Sequence, residues 1–220
     1  MIPVAQLLNI MYAPRLYVHP GHLPPACTPG ADLPADIVNQ KLIETHGLET
    51  RIEFSMPADP LVARCVQHWM RLPRICLLIG AHSLRSVLIQ ASRFAKLDAI
   101  CRQFLCLPLP VFPVEDASGA PNSVTAPLRA RCENNEIASI DPIDEEVIVE
   151  AGLVQMGSLL QRLPPALRQR LALLFSPALQ PCVLRFASEE QASPQTPDGL
   201  NVSVFSYAVN YALLKPTSIS

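Results

Sequence analysis

Twenty-three prolines against only eight glycines, in 220 residues, set the strongest constraint on how this chain can fold. Proline lacks a backbone N–H and has a fixed φ, so it is kept out of central strands and helix interiors but tolerated in a helix's first turn. All-β proteins need many glycine turns, and glycine here stands at about half its usual share. The balance suits helices punctuated by proline. The predicted fold class is therefore mainly α: a compact multi-helix globular fold with room for one short β-hairpin near the C-terminus. Half the residues are hydrophobic and 16% are charged, which excludes a disordered or polyelectrolyte chain. A formal net charge of −2 gives no general electrostatic grip on nucleic acid.

The prolines divide the chain into legible segments. Five of them make the first thirty-odd residues irregular: Pro14, Pro20, Pro24, Pro25 and Pro29. A helix is expected from Pro34 to Thr45, ended near Gly47. Asp59-Pro60 offers an N-cap followed by proline at the first helical position, and Val62, Val66 and Trp69 then mark one helical face. Pro73 interrupts, and an almost wholly apolar run through Ile79 predicts a buried helix. Ser92 is the expected N-cap of the next helix, where Phe94, Leu97, Cys101 and Phe104 repeat before Pro108. These helices, over roughly 60–106, are expected to form the main core. Residues 107–130 are proline-rich and without sustained period, a long connection across one domain or between two lobes.

Asp141-Pro142 repeats the cap signature, with Asp144, Glu145 and Glu146 beside the positive helix N-terminus. Val149, Leu153, Met156, Leu160 and Leu163 follow at 4-3-4-3. Pro164-Pro165 stops that helix and starts another carrying Leu167, Leu171 and Leu174, which predicts a packed helical hairpin. Near the end, Cys182–Phe186 is read as a short strand that pairs with the alternation Leu200, Val202, Val204, while Val209 and Ala212 suit a helix from Phe205 on. The domain expectation is a single helical domain over residues 1–220.

The N-terminus lacks a basic region ahead of its apolar residues, the first positive side chain being Arg15, and the densest apolar stretch is far shorter than the ~20 residues of a membrane span. The seven cysteines are scattered, without a CxxC pair or a disulfide framework. The chain is expected to be cytosolic.

Charge is partitioned. From Pro60 to Pro110 six arginines and one lysine (Arg64, Arg71, Arg74, Arg85, Arg93, Lys96, Arg102) face only Asp98. From Glu133 to Glu150 there are seven acids and no base. Solvated outer faces of amphipathic helices account for this, and so does docking on charged partners.

Motifs for catalysis are mostly missing. Nucleotide-binding glycine loops, GxSxG, HExxH and the EF-hand loop are absent from the sequence. Cys65 and His68, three apart on a predicted helix, resemble a thiol–imidazole pair, yet the same segment carries the core face of Val62, Val66 and Trp69. His19, His22 and Cys27 do not follow a known zinc spacing and lack a fourth ligand, so packing or capping accounts for them better. Cys101 and Cys106 point to different helix faces. No aromatic series interleaves the arginines as single-stranded nucleic acid would require, and the basic helices have their apolar sides committed to the core, not a membrane surface. No metal, cofactor or small-molecule substrate is expected.

Tyr12-Ala13-Pro14-Arg15-Leu16-Tyr17-Val18-His19, followed by Leu23-Pro24, resembles the start of the SctK (YscK/PscK) proteins, accessory components of bacterial type III secretion systems. The matching positions are Tyr12, Pro14, Tyr17 and His19. Leu61–Leu105 resembles the central leucine-, cysteine- and arginine-rich helices of that family, and Val149–Leu153 running on to Arg168–Leu173 resembles its late helical hairpin. The order is collinear over about two-thirds of the chain, outside the stretches 107–130 and 188–199. The resemblance implies a mainly helical, non-enzymatic cytoplasmic adaptor bridging the ring protein (SctD-like) to the sorting-platform pod protein (SctQ-like), with no catalytic residue to carry over. Docking residues expected on that reading are Tyr12, Tyr17, His19, Arg64, Arg71, Arg74, Arg85, Arg93 and Arg102. The competing readings are a small cysteine-dependent hydrolase or transferase built on Cys65 and His68, and a helical secretion chaperone or regulator.

Overall fold

The structure, a computed structural model, describes residues 4–27, 33–51, 59–90, 93–110, 145–187 and 201–214. Ten α-helices occur among them and no strand. They are α1 (Val4–Tyr12), α2 (Ala35–Thr45), α3 (Pro60–Gln67), α4 (Leu72–Ser83), α5 (Arg85–Gln90), α6 (Ala99–Leu105), α7 (Glu145–Gln161), α8 (Pro165–Leu174), α9 (Gln180–Ala187) and α10 (Val202–Ala212). The mainly helical expectation holds.

Proline does what its chemistry predicts. It opens α3 and α8, sits second in α4 and α9, and begins the 3₁₀ turns Pro14–Leu16, Pro20–His22, Pro25–Cys27 and Pro177–Leu179. At these first-turn positions the missing N–H would have had no intrahelical acceptor. Asp59 caps α3 as expected, its carboxylate accepting from the Leu61 N–H at 2.9 Å. Gly47, with φ of 56°, stops α2 in the left-handed conformation that glycine alone adopts freely.

Two expectations are corrected. Asp98, not Ser92, caps the helix carrying Cys101 and Phe104: its carboxylate accepts from the Cys101 N–H at 2.9 Å, and Phe94–Lys96 is a separate 3₁₀ turn. Ser92 lies outside the described residues, as do Asp141-Pro142 and residues 111–130. The β-hairpin is replaced by helix. Cys182–Phe186 belongs to α9, with Pro181 in its first turn, and Val202 and Val204 belong to α10. Asn201 decides the latter, its side chain accepting from the N–H groups of Ser203 and Val204. Val204, Phe205, Ala208 and Val209 are then buried at helical spacing while Val202 is exposed, so the three-residue alternation was too short to carry a strand.

The chain falls into two compact units: Met1–Leu72 with Gly157–Gln195, and Pro73–Met156 with Thr196–Ser220. In the first unit α8 packs on α1 and α9, and α1 also meets α2 and α3. Leu7, Ile10 and Met11 are the buried side of α1; Val38 and Leu42 of α2 join Cys27 in a small apolar cluster lined by Val18, Leu23 and Leu33. Gln6 of α1 donates to the carbonyls of Val66 and Gln67, taking up two of the orphan acceptors at the end of α3.

In the second unit α4 is buried from Ile75 to His82, as its apolar run predicts. It crosses α7 at two glycines. A Cβ on Gly80 would lie 1.8 Å from the Ile148 carbonyl oxygen, and one on Gly152 would lie 1.9 Å from that of Cys76. Only hydrogen fits there, so the two backbones touch. Cys76 Sγ meets Met156 Sδ at 3.6 Å beside the crossing. Phe104 of α6 sits edge-on to both His82 and Tyr211, at 6.1 and 5.5 Å between ring centroids, fastening α10 to α6.

Candidate functional site

The N-terminal segment that carries the family resemblance is built around a buried cation. Arg170 of α8 is fully buried. Its guanidinium donates to the carbonyls of Ala166 (2.7 Å), Met11 (3.0 Å) and Glu49 (2.7 Å). Met11 lies in the last turn of α1, where unpaired carbonyls and the helix dipole favour positive charge. One arginine thereby ties α1, α8 and the chain after α2 together. Burial lowers its pKa, but a guanidinium remains charged.

The Tyr12–His19 segment then closes over this anchor. Tyr17 is buried, donates to the Ile10 carbonyl at 2.8 Å and stands edge-on to Trp69 at 6.1 Å. Burial, partly opposed by Arg170, raises its phenol well above the ordinary tyrosine value. Tyr12 donates to the Thr50 carbonyl at 2.9 Å, with nearly half its surface exposed. Pro14 is buried. His19 donates its backbone N–H to the Leu173 carbonyl at 2.7 Å, and its Nδ1 accepts from the Gly21 N–H at 3.1 Å. His22 Nε2 lies 3.0 Å from the Phe175 carbonyl. Residues 19–22 thus take up carbonyls that α8 leaves unpaired at its end. All four polar side chains (Tyr12, Tyr17, His19, His22) bond backbone of their own unit. What this segment offers outward is Tyr12, Arg15 and Leu16, beside Val4 and Leu8 of α1, all exposed.

The arginines divide between the units. Arg64 and Arg71 are in the first, Arg74, Arg85, Arg93 and Arg102 in the second. Arg71 and Arg102 are exposed, while Arg64, Arg85 and Arg93 are half-buried. Arg74 is committed: it grips Asp98 with two parallel bonds of 2.7 Å, holding the N-cap of α6 against α4. This partner holds the Asp98 carboxyl well below the usual carboxylate range, overcoming the burial that opposes it.

The alternative thiol chemistry has no footing. Cys65 has no exposed surface, and burial pushes its thiol up to about 12, the reverse of what a nucleophile requires. His68 is lowered by burial and by the cations Arg71 and Arg64. Cys27 is absorbed in the apolar cluster with Val38 and Leu42, while the His22 ring stands edge-on to both His19 and His46. Among the described residues no group of three or more His, Cys, Asp or Glu side chains could hold a metal ion. Cys101 is buried and Cys106 exposed, on different faces as their spacing requires.

Sequence reasoning missed Arg170 and His46. Arg170 follows Leu167 by three and precedes Leu174 by four, so it stands on the apolar face of α8, and a charge at such a position was the available signal. His46 gave none, because its contact with His22 spans a turn and a helix.

No described helix is long and apolar enough to cross a membrane. Comparison with curated proteins and with solved structures gives no match. The family model described as "Bacterial type III secretion apparatus protein (OrgA_MxiK)" matches residues 7–214, a span that starts ahead of the Tyr12–His19 segment and takes in every helix from α2 to α10. The chain belongs to this family of type III secretion apparatus proteins, the family of SctK.

Proposed function

We propose that this protein is a non-enzymatic cytoplasmic adaptor of the apparatus, one folded SctK-like domain that links the cytoplasmic part of an SctD-like ring protein to an SctQ-like pod protein. It works peripherally at the cytoplasmic face of the inner membrane, held there by its protein partners. The family match over residues 7–214 carries this reading. The closed, high-pKa Cys65 speaks against the cysteine-dependent enzyme.

On this reading the exposed arginines steer docking, and the Tyr12–His19 segment shapes one contact through the outward ring of Tyr12. A planar, weakly hydrated guanidinium suits bidentate pairing with carboxylates. Complementary charge mainly raises the on-rate and excludes wrong partners, while aromatic anchors supply affinity. Arg71 and Arg102 are the residues to reverse, because Arg74 is occupied by Asp98.

The test measures association of the Arg71→Glu, Arg102→Glu double variant with the purified ring and pod proteins, at low and moderate salt. Slower association, with weaker salt dependence and unchanged helicity, is expected. Unchanged rates with both partners would remove these arginines from the interface.

A further inference from the structure

Three histidines, His19, His22 and His46, form a chain of edge-on rings at the end of α8, with centroids 6.4 Å apart for His19–His22 and 5.9 Å for His22–His46. We propose that the turn of residues 19–22 is an acid-released latch on the end of α8, closed while these imidazoles are neutral and opened when they take up protons.

The closed state depends on a lone pair. His19 Nδ1 accepts from the Gly21 N–H, which caps the turn Pro20–His22. A protonated imidazole has no acceptor nitrogen, so a proton at Nδ1 abolishes that cap. The neighbouring rings add a second sensitivity: positive charges on adjacent, edge-on rings would repel one another. Burial, with His46 and His19 assisting, lowers the His22 pKa; the carbonyls of Phe175 and Ala172 oppose this and lose.

The surroundings contain little to offset added charge. His22 is faced by His19 from its own segment, by His46 from the end of α2, and by the carbonyls of Ala172 and Phe175 from the end of α8. On α2, Lys41 and Glu44 are exposed, and Glu44 is engaged by Gln40. On α8, Arg170 is spent on Ala166, Met11 and Glu49. Pro177, which follows α8, packs on Gly21 and has no charge.

Release would be local. Val18 and Leu23 flank the turn and pack against Val38 and Leu42, an apolar hold indifferent to pH. What acid removes is the His19 cap on the turn, and with it the hold of the His19 N–H on Leu173, while the His22 Nε2 bond to the Phe175 carbonyl survives protonation. Opening would uncover the Leu173 carbonyl and free the segment that follows Tyr12.

The experiment follows hydrogen exchange at the His19 and Gly21 amides of the full chain, each rate normalised to its intrinsic value at that pH. Between pH 7.5 and 5.5 their protection is expected to fall at least tenfold while amides of α4 keep theirs. In the variant His19→Asn with His22→Gln, side chains still able to hydrogen-bond but not to titrate, protection should no longer depend on pH. If the double variant does not fold, each single change should reduce the pH dependence in part. Wild-type protection that is flat across this range, or variants that respond as the wild type does, would overturn the proposal.

Discussion

Gly80→Ala is the most informative single change in the second unit. In an isolated helix it would help, since alanine is favoured over glycine by about 1 kcal/mol. Here the new methyl would sit 1.8 Å from the Ile148 carbonyl oxygen and 2.8 Å from the Gly152 nitrogen. Both are backbone atoms, so no rotamer change relieves the clash. Helices α4 and α7 must part by on the order of 1 Å, and a gap of that size forfeits a quarter to a half of each contact's dispersion well. Ile79, Leu78, Cys76, Ile148 and Met156, all without exposed surface, lose packing together. Overpacking usually costs ~1–3 kcal/mol, and an obstruction by backbone belongs at the top of that range. Subtracting the helical gain leaves a net loss of about 2 kcal/mol. Urea denaturation followed by circular dichroism should show the midpoint falling by roughly 1 M at unchanged slope. Gly152→Ala should behave alike, and the pair should cost less than the sum, because the first methyl already separates the helices. A Gly80→Ala protein as stable as the wild type, or more so, would refute the close crossing.

Three further outcomes concern the buried Arg170, the response to acid and the cysteines. Arg170→Met should destabilise by about 3 kcal/mol or more in urea, since hydrogen bonds to a charged group are worth ~1.5–3 kcal/mol each, and Arg170→Lys should recover little of this because an ammonium cannot span the Ala166, Met11 and Glu49 carbonyls with one planar fork. Acid should destabilise in two windows. His22, His68 and His82 all have lowered folded pKa values, so the unfolded chain takes up protons first and stability falls as pH drops below about 6.5; Asp98, depressed by Arg74, contributes stability above about 3.9 that is lost only as pH falls further, through its folded pKa. Urea midpoints at pH 7.5, 5.5, 4 and 2, with Asp98→Asn removing only the lower window, check this. Alkylation mapped by mass spectrometry should label Cys106 rapidly in the native protein and Cys65 and Cys101 only on unfolding, since burial raises both of those thiols to about 12.

What was legible in the sequence was what local chemistry decides. The Asp59-Pro60 cap, the stop at Gly47 and the proline at the head of α8 each act within a few residues, and each was read correctly. The errors came where a local signal had a tertiary competitor. Asp98 looked like a lone acid in a basic stretch, but its carboxylate both caps α6 and holds Arg74 from another helix. Val202 and Val204 alternated like a strand until Asn201 supplied a cap. The Tyr12–His19 segment was singled out by resemblance, and its inward wiring was not readable. Tyr17 to Ile10 is local, but Arg170 to Met11 and His22 to Phe175 join residues more than 150 apart in the chain. Likewise the two glycines at the α4–α7 crossing are silent in one dimension, since only their mutual approach gives them meaning.

The central claim, that this chain joins two different apparatus proteins, is tested most directly by mixing it with the purified ring-protein cytoplasmic part and the purified pod protein and measuring the mass of the products by size exclusion with light scattering. The account predicts a ternary complex that forms only when this chain is present, while ring and pod alone stay separate. Binding to one partner that excludes the other, or no binding to either, would contradict it.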